Sequence, residues 1–238
     1  MGEISHNIIG DIHGRSVWKE LVDENLVNVF VGDFFDPYTY DITFEECRYN
    51  FMEIVDYKRQ HPETVLLWGN HELHYLLQGE LDETYSRFDY LHSEAIQKIL
   101  EWNRGYFSGV AYSVGDEYLV THAGVSRYWY MRWIEKYEGQ SPDYVAEQLN
   151  NLWNINPRAF SVHDNKRYPY DDDGSTQSPL WMRPEELAKF NLFDGTGFRQ
   201  VYGHTQCDRI EECNGLICVD CLRMASRGEG WQPLTLKI

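Results

Sequence analysis

Five short sequences, each dense in side chains that bind metals, fall in one order along the chain: Gly10-Asp11-Ile12-His13-Gly14, Gly32-Asp33-Phe34-Phe35-Asp36, Gly69-Asn70-His71-Glu72, Thr121-His122-Ala123-Gly124 and Gly203-His204-Thr205. Three of them end an apolar run. Short apolar runs rich in β-branched residues read as buried strands, and open α/β sheets place their sites at the carboxyl ends of strands. Asp11 and His13 stand two apart at such an end, so both side chains can point the same way. The set offers hard oxygen and nitrogen donors, with a carboxylate able to bridge two ions and a histidine to spare for proton transfer. These five motifs hold no cysteine, so a soft-ligand zinc or iron–sulfur site is not indicated.

Between the motifs the pattern alternates strand and helix. Asn7–Gly10 and Val27–Val31 read as strands, with helical spacing over Ser16–Glu24 between them. Thr43–Arg59 is predicted helical, capped by Thr43 with Glu46 three positions on. Thr64–Trp68 is the next strand, and a helix begins at Leu73–Leu77. Tyr90–Asn103 is a further helix. Gly115-Asp116 joins Val110–Val114 to Glu117–Thr121 as a hairpin, whose second strand delivers His122. Residues 126–197 are rich in Trp, Tyr, Asn and Pro, with helices expected near Trp129–Tyr137 and Pro142–Trp153. The Asp171-Asp172-Asp173-Gly174-Ser175 run reads as a solvated turn, because it lacks the ligand alternation and distal Glu of a calcium loop. Gln200–Tyr202, Gly215–Cys221 and Pro233–Ile238 finish as strands. The simplest partition is one domain, 1–238, with a helical cap inserted at about 126–197.

The series resembles the calcineurin-like metallophosphoesterase superfamily, in its serine/threonine-phosphatase-type branch. That branch includes bacterial and phage protein phosphatases and the symmetrical diadenosine tetraphosphatases. The resemblance runs from about Ile8 to Asp220. It implies a four-layer α/β/β/α sandwich. It also implies roles: Asp11 and His13 bind a first metal, Asp33 bridges, and Asn70, His122 and His204 complete a second. His71 is the general acid and Asp36 orients its imidazole. In this family a metal-bridging water or hydroxide attacks phosphorus in line. The implied cofactor is two divalent ions, Mn²⁺ first, with Fe or Zn as alternatives.

One departure stands out. The family usually carries an arginine after the second aspartate pair, where it clamps the substrate phosphate. Here that position is Pro37, followed by Tyr38. Arg15, after the first motif, and Arg183, in Leu180-Trp181-Met182-Arg183-Pro184, are the candidate replacements. The second lies in a stretch resembling the family's Trp-x-Arg segment. A guanidinium matches phosphate bidentately, which Tyr38 cannot do, and Tyr38 is retained as a candidate substrate contact.

Composition narrows the partners. The 238 residues carry a net charge of −17, which opposes nonspecific binding to nucleic acid. Aromatics reach 15%, with 17 Tyr and 8 Trp, and serve packing or a stacking wall. No apolar run approaches the ~18 residues of a membrane span. Met1–Asn7 is polar, and five cysteines fit a reducing compartment, so a cytoplasmic protein is expected. Cys218 and Cys221 read as packed thiols rather than a zinc knuckle. His6, His61, His74, His92 and His163 read as surface or core residues, with His74 the nearest of them to the motifs.

The expected function is therefore a metal-dependent phosphomonoesterase, similar to a serine/threonine protein phosphatase, acting on a phosphorylated protein or small phosphoester. The rival within the enzyme class is a dinucleoside polyphosphate or nucleotide hydrolase. The version of the third motif running to Leu77 and the Tyr38/Tyr40 pair favour it, and the scarcity of basic residues near the motifs opposes it. A rival from another class is a non-catalytic binding module on the same fold. The missing arginine favours that, and the intact ligand set opposes it.

Overall fold

The computed structural model describes residues 5–38, 41–78, 87–162, 174, 176–222 and 233–237. In chain order the elements are β1 (Ser5–Ile9), β2 (Val27–Phe30), α1 (Phe44–Gln60), β3 (Val65–Leu66), α2 (Asn70–Leu76), α3 (Ser93–Trp102), β4 (Ala111–Val114), β5 (Tyr118–Thr121), α4 (Arg127–Trp133), α5 (Pro142–Ile155), α6 (Pro184–Phe190), β6 (Arg199–Tyr202), β7 (Glu212–Cys213), β8 (Leu216–Cys218) and β9 (Leu234–Lys237). They form a four-stranded sheet, order β3-β2-β1-β9, and a five-stranded sheet, order β4-β5-β6-β8-β7.

Strand alternation explains why two sheets stack. Side chains on successive residues face opposite sides, so each buried strand presents two apolar faces. Ile8, Val29 and Val65 of the first sheet meet Val120, Val201 and Ile217 of the second in one cluster. Their neighbours Ile9, Phe30 and Leu66 face outward and pack with Phe51, Ile54 and Val55 of α1. On the second sheet Ala111 and Leu119 pack with Val145, Leu149 and Trp153 of α5. The result is helix, sheet, sheet, helix: the four-layer arrangement expected.

Local signals account for most boundaries. Thr43 caps α1 as expected: its hydroxyl accepts from the Glu46 amide at 3.3 Å, while Glu46 accepts from the Thr43 amide at 2.7 Å. The hairpin at Gly115-Asp116 pairs Ala111 with Thr121 and Val114 with Tyr118. Elsewhere the reading and the structure part. The expected helix over Ser16–Glu24 is only a 3-10 turn, Ser16–Glu20. Asn7 donates to the Leu21 carbonyl at 2.7 Å, and Asn28 binds both the amide and the carbonyl of Asp23. Those side chains take the backbone groups that a longer helix needs. α6 was not expected, although Pro184 opens it, Glu185 and Glu186 fill its first turn and Lys189 its last. Nor was β7, which Asn214-Gly215, both at positive φ (52° and 74°), folds back onto β8.

Within the segment 126–197, α5 docks on β4. Asn150 accepts from the amides of Val110 (2.9 Å) and Ala111 (3.1 Å) and donates to the Ala111 carbonyl at 2.9 Å. Ser126 and Asn191 form an isolated bridge, so the chain leaves and returns at one place. Gln200 of β6 ties both ends down, accepting from the Val125 amide and donating to the Asn191 side chain, each at 2.7 Å. The Asp171–Asp173 run, Ser175, Tyr40 and His163 lie outside the described residues.

Candidate metal centre

All five motifs meet at one edge of the sandwich. Parallel strands β1, β2 and β3 end at Asp11, Asp33 and Asn70, and the parallel pair β5 and β6 ends at His122 and His204. Asn70 and His71 open α2, which starts three residues before the Leu73 expected. Of five non-glycine residues at positive φ among the described residues, four belong to the motifs: His13 (44°), Asp33 (53°), Asp36 (59°) and His204 (64°). Such backbone costs about 1–3 kcal/mol each and persists only where the surroundings impose it. At Asp33 the constraint comes from Glu72. Its buried carboxylate accepts from the amides of Asp33 (2.9 Å), Phe34 (2.8 Å) and Gly69 (3.0 Å). Space is equally controlled. A Cβ on Gly69 would lie 2.1 Å from Asp33 Oδ1, and one on Gly203 2.1 Å from Asp11 Oδ1.

The donors converge. Asp33 Oδ2 lies 3.5 Å from His13 Nε2, 3.4 Å from His122 Nε2 and 3.8 Å from His71 Nε2. Asn70 Oδ1 is 2.8 Å from His122 Nε2 and 2.9 Å from His204 Nδ1. Asp11 lies 3.9 Å from His13 Nε2 and accepts the His204 amide at 2.9 Å. His13 and His122 each donate Nδ1–H to a carbonyl, of Phe35 and Val31, at 2.9 Å. That fixes the tautomer and aims Nε2, as a lone-pair donor, into the centre. His13 Nε2 is buried without a hydrogen-bond partner. Among the described residues two groups could hold an ion, His13–Asp33–His71 and Asp33–His122–His204, and Asp33 is common to both.

Charge follows from the same crowding. Burial, Asp220 and Asp33 raise Asp11 well above the carboxylate range. Burial alone would raise Asp33 too, but His122, His71 and His13 hold it well below that range. Burial lowers His13 to about 3, and burial with His122 and Arg183 lowers His204 well below the usual imidazole value. His122 goes the other way: burial lowers it, but the Asp33 charge and hydrogen bond outweigh that and raise it. Neutral His13 and His204, with His122 held beside the Asp33 carboxylate, form a nitrogen and oxygen set of the kind divalent cations take, so the residues fit a metal.

His71 is set apart. Its Nδ1 is 2.6 Å from Asp36 Oδ2, and Asp36 also accepts from the Tyr75 hydroxyl, which in turn accepts the Asp89 amide at 2.9 Å. Burial pushes the His71 imidazole down, but Asp33 and Asp36 outweigh it and raise it from 6.5 to about 9. In the metal-free protein the stabilisation from this imidazolium is complete below pH ~6.5 and is lost as pH rises through about 9. Titration of the imidazole by NMR should show that midpoint, and Asp36→Asn should lower it.

The remaining candidates flank the centre. Tyr38 packs edge-on against His13, ring centroids 4.4 Å apart, with the Arg15 guanidinium 5.9 Å from its ring. Arg183 donates to the Thr205 hydroxyl at 3.2 Å on the His204 side. Trp181 stands between His74 (5.2 Å) and His204 (5.7 Å), which puts His74 one ring away from the fifth motif. His6 bonds the Tyr112 hydroxyl, His61 stacks on Tyr57 and His92 pairs with Asp89. None of the five cysteines forms a disulfide, and among the described residues none joins a metal-binding group. Sequence reasoning missed Glu72 and Tyr75. The spacing held a signal for Tyr75, four residues after His71 on one helix face.

The fold has solved counterparts. A cold-active protein tyrosine phosphatase superposes with a TM-score of 0.61 at 21% identity, covering 99% of this chain and 74% of that one. The cold-active protein tyrosine phosphatase of a psychrophilic Shewanella gives 0.56 at 20%, covering 99% and 76%. A serine/threonine phosphatase from Saccharomyces cerevisiae gives 0.50 at 17%, covering 90% and 66%. Likeness at these identities concerns the fold. No curated protein matches the sequence significantly. Among the described residues no helix is long and apolar enough to cross a membrane. The profile of the calcineurin-like phosphoesterases matches residues 7–208, most of the chain and all five motifs, and this protein therefore belongs to that family of metal-dependent phosphoester hydrolases.

Proposed function

We propose that the protein is a binuclear phosphomonoesterase of the protein-phosphatase kind. The observation that carries this reading is Asp33, one buried carboxylate within reach of both candidate ligand groups. Asp11, His13 and Asp33 would hold one ion, and Asp33, Asn70, His122 and His204 the other. The mixed oxygen and nitrogen donors suit Mn²⁺. When bound, the ions polarise the phosphoryl oxygens and lower the pKa of a water toward ~7. His71 presents Nε2 toward the centre, while Asp36 holds its Nδ1–H, and in this reading His71 gives a proton to the leaving oxygen. Tyr38 and Trp181 border the centre from opposite ligands, His13 and His204.

Hydrolysis of para-nitrophenyl phosphate with added Mn²⁺ tests the activity, and a panel of phosphopeptides and diadenosine tetraphosphate tests the substrate. No turnover of any of these by the Mn²⁺-loaded protein would sink the reading. The inserted segment 126–197 is proposed to select substrate through Arg183. Arg183→Ala should raise KM for a phosphopeptide about 10-fold through loss of a charge-assisted contact, and raise it less for para-nitrophenyl phosphate. Equal effects on both would count against selection by this segment.

A further inference from the structure

Pro37 leaves the segment after Asp36 without a guanidinium; of the two replacements expected from sequence, one braces the first motif and the other stands on the far, His204 side. Arg15 donates Nη1 toward the carbonyls of Asp11 (3.3 Å) and Ile12 (3.5 Å), bracing the first motif's turn. Arg183 lies across the centre, bonded to Thr205. A third arginine arrives from a distant part of the chain. Arg87 places Nη1 3.4 Å from the Pro37 carbonyl and its guanidinium carbon 4.6 Å from the centre of the Tyr38 ring. Since Tyr38 packs on His13, Arg87 stands one aromatic ring from a candidate metal ligand.

Its surroundings differ from those of several other surface arginines in this acidic chain. Arg48, Arg59 and Arg199 each pair with a carboxylate. Arg87 is exposed and forms no ion pair among the described residues, although Asp36 and Asp89 line the same 330 Å³ cavity. One donor and one face of the guanidinium position it, and the rest of the donor fork remains open. A fork held over an aromatic ring beside a cation site is arranged to receive two oxygens of a phosphoryl group.

We propose that Arg87 is the phosphate-binding guanidinium of this enzyme, filling from a separate loop the role that position 37 cannot, with Tyr38 as the platform that holds it. The proposal rests on the phosphomonoesterase reading above. Calorimetric titration of orthophosphate into the Mn²⁺-loaded protein tests it without turnover. Arg87→Ala should weaken orthophosphate about 10-fold or more, and Arg87→Lys, which keeps the charge but loses the fork, should fall between. Arg59→Ala, with the same change in net charge far from the centre, should leave the affinity unchanged. Metal content should match the wild type in all three. Wild-type affinity in Arg87→Ala, or equal loss in Arg59→Ala, would overturn the assignment. Turnover of para-nitrophenyl phosphate by the wild type separates the two readings. Active wild type with unchanged affinity in Arg87→Ala removes Arg87 alone, whereas wild type that neither binds orthophosphate nor turns over removes both.

Discussion

Asp33→Asn should strip both ions from the purified protein and lower phosphoester turnover by about 10³-fold or more. Its Oδ2 is within 3.5 Å of His13 Nε2 and 3.4 Å of His122 Nε2, so the two candidate ion positions share this one charge. An amide keeps a single acceptor oxygen and no charge, and cannot neutralise two cations. The backbone should hold, because Glu72 grips the Asp33 and Phe34 amides rather than the side chain. Asn70→Ala offers the contrast. Its oxygen faces only His122 and His204, so one ion should go and the other stay. Metal analysis after dialysis decides. Two tightly held ions in Asp33→Asn would rule out a bridging role.

His71→Asn should keep both ions yet lose about 10²–10⁴ in rate on alkyl phosphates and phosphopeptides. Proton donation matters most where the leaving group is a poor one, such as a serine alkoxide. Para-nitrophenolate departs without a proton, so its loss should be far smaller. The geometry sharpens the test, since His71 Nε2 lies within metal-ligating range of His13 and Asp33. A carboxylate on Nδ1, like Asp36 at 2.6 Å, serves a ligating histidine as well as a proton donor. Loss of an ion in His71→Asn would make it a ligand. Equal loss on both substrates with the ions retained would make it a group that places substrate or water. Asp36→Asn should give a weaker version of the proton-donor pattern.

Much of this site was legible in the chain because its candidate ligands sit on strand ends. A strand that is buried on both faces must be apolar, and the residue that leaves it turns at a fixed edge of the sheet. The periodicity thus located Asp11, Asp33, Asn70 and His122 before any contact was known. The capping of α1 by Thr43 and the turn at Gly115 were equally local, decided by hydrogen bonds and φ angles within a few residues. The turn at Asn214-Gly215 was just as local and carried its signal in the sequence.

What needed the tertiary structure is whatever depends on side chains from separate segments meeting. The 3-10 turn after the first motif is short because Asn7 and Asn28 reach across to it. Asp33 keeps a left-handed backbone because Glu72, 39 residues away, holds its amide. Arg87 reaches Pro37 across 50 residues that no periodicity links. The sequence by itself determined which donors stand at the strand ends, because burial and chain geometry act locally. Only the folded chain decided their tautomers, their charges and the guanidinium beside them, because those depend on distances between segments.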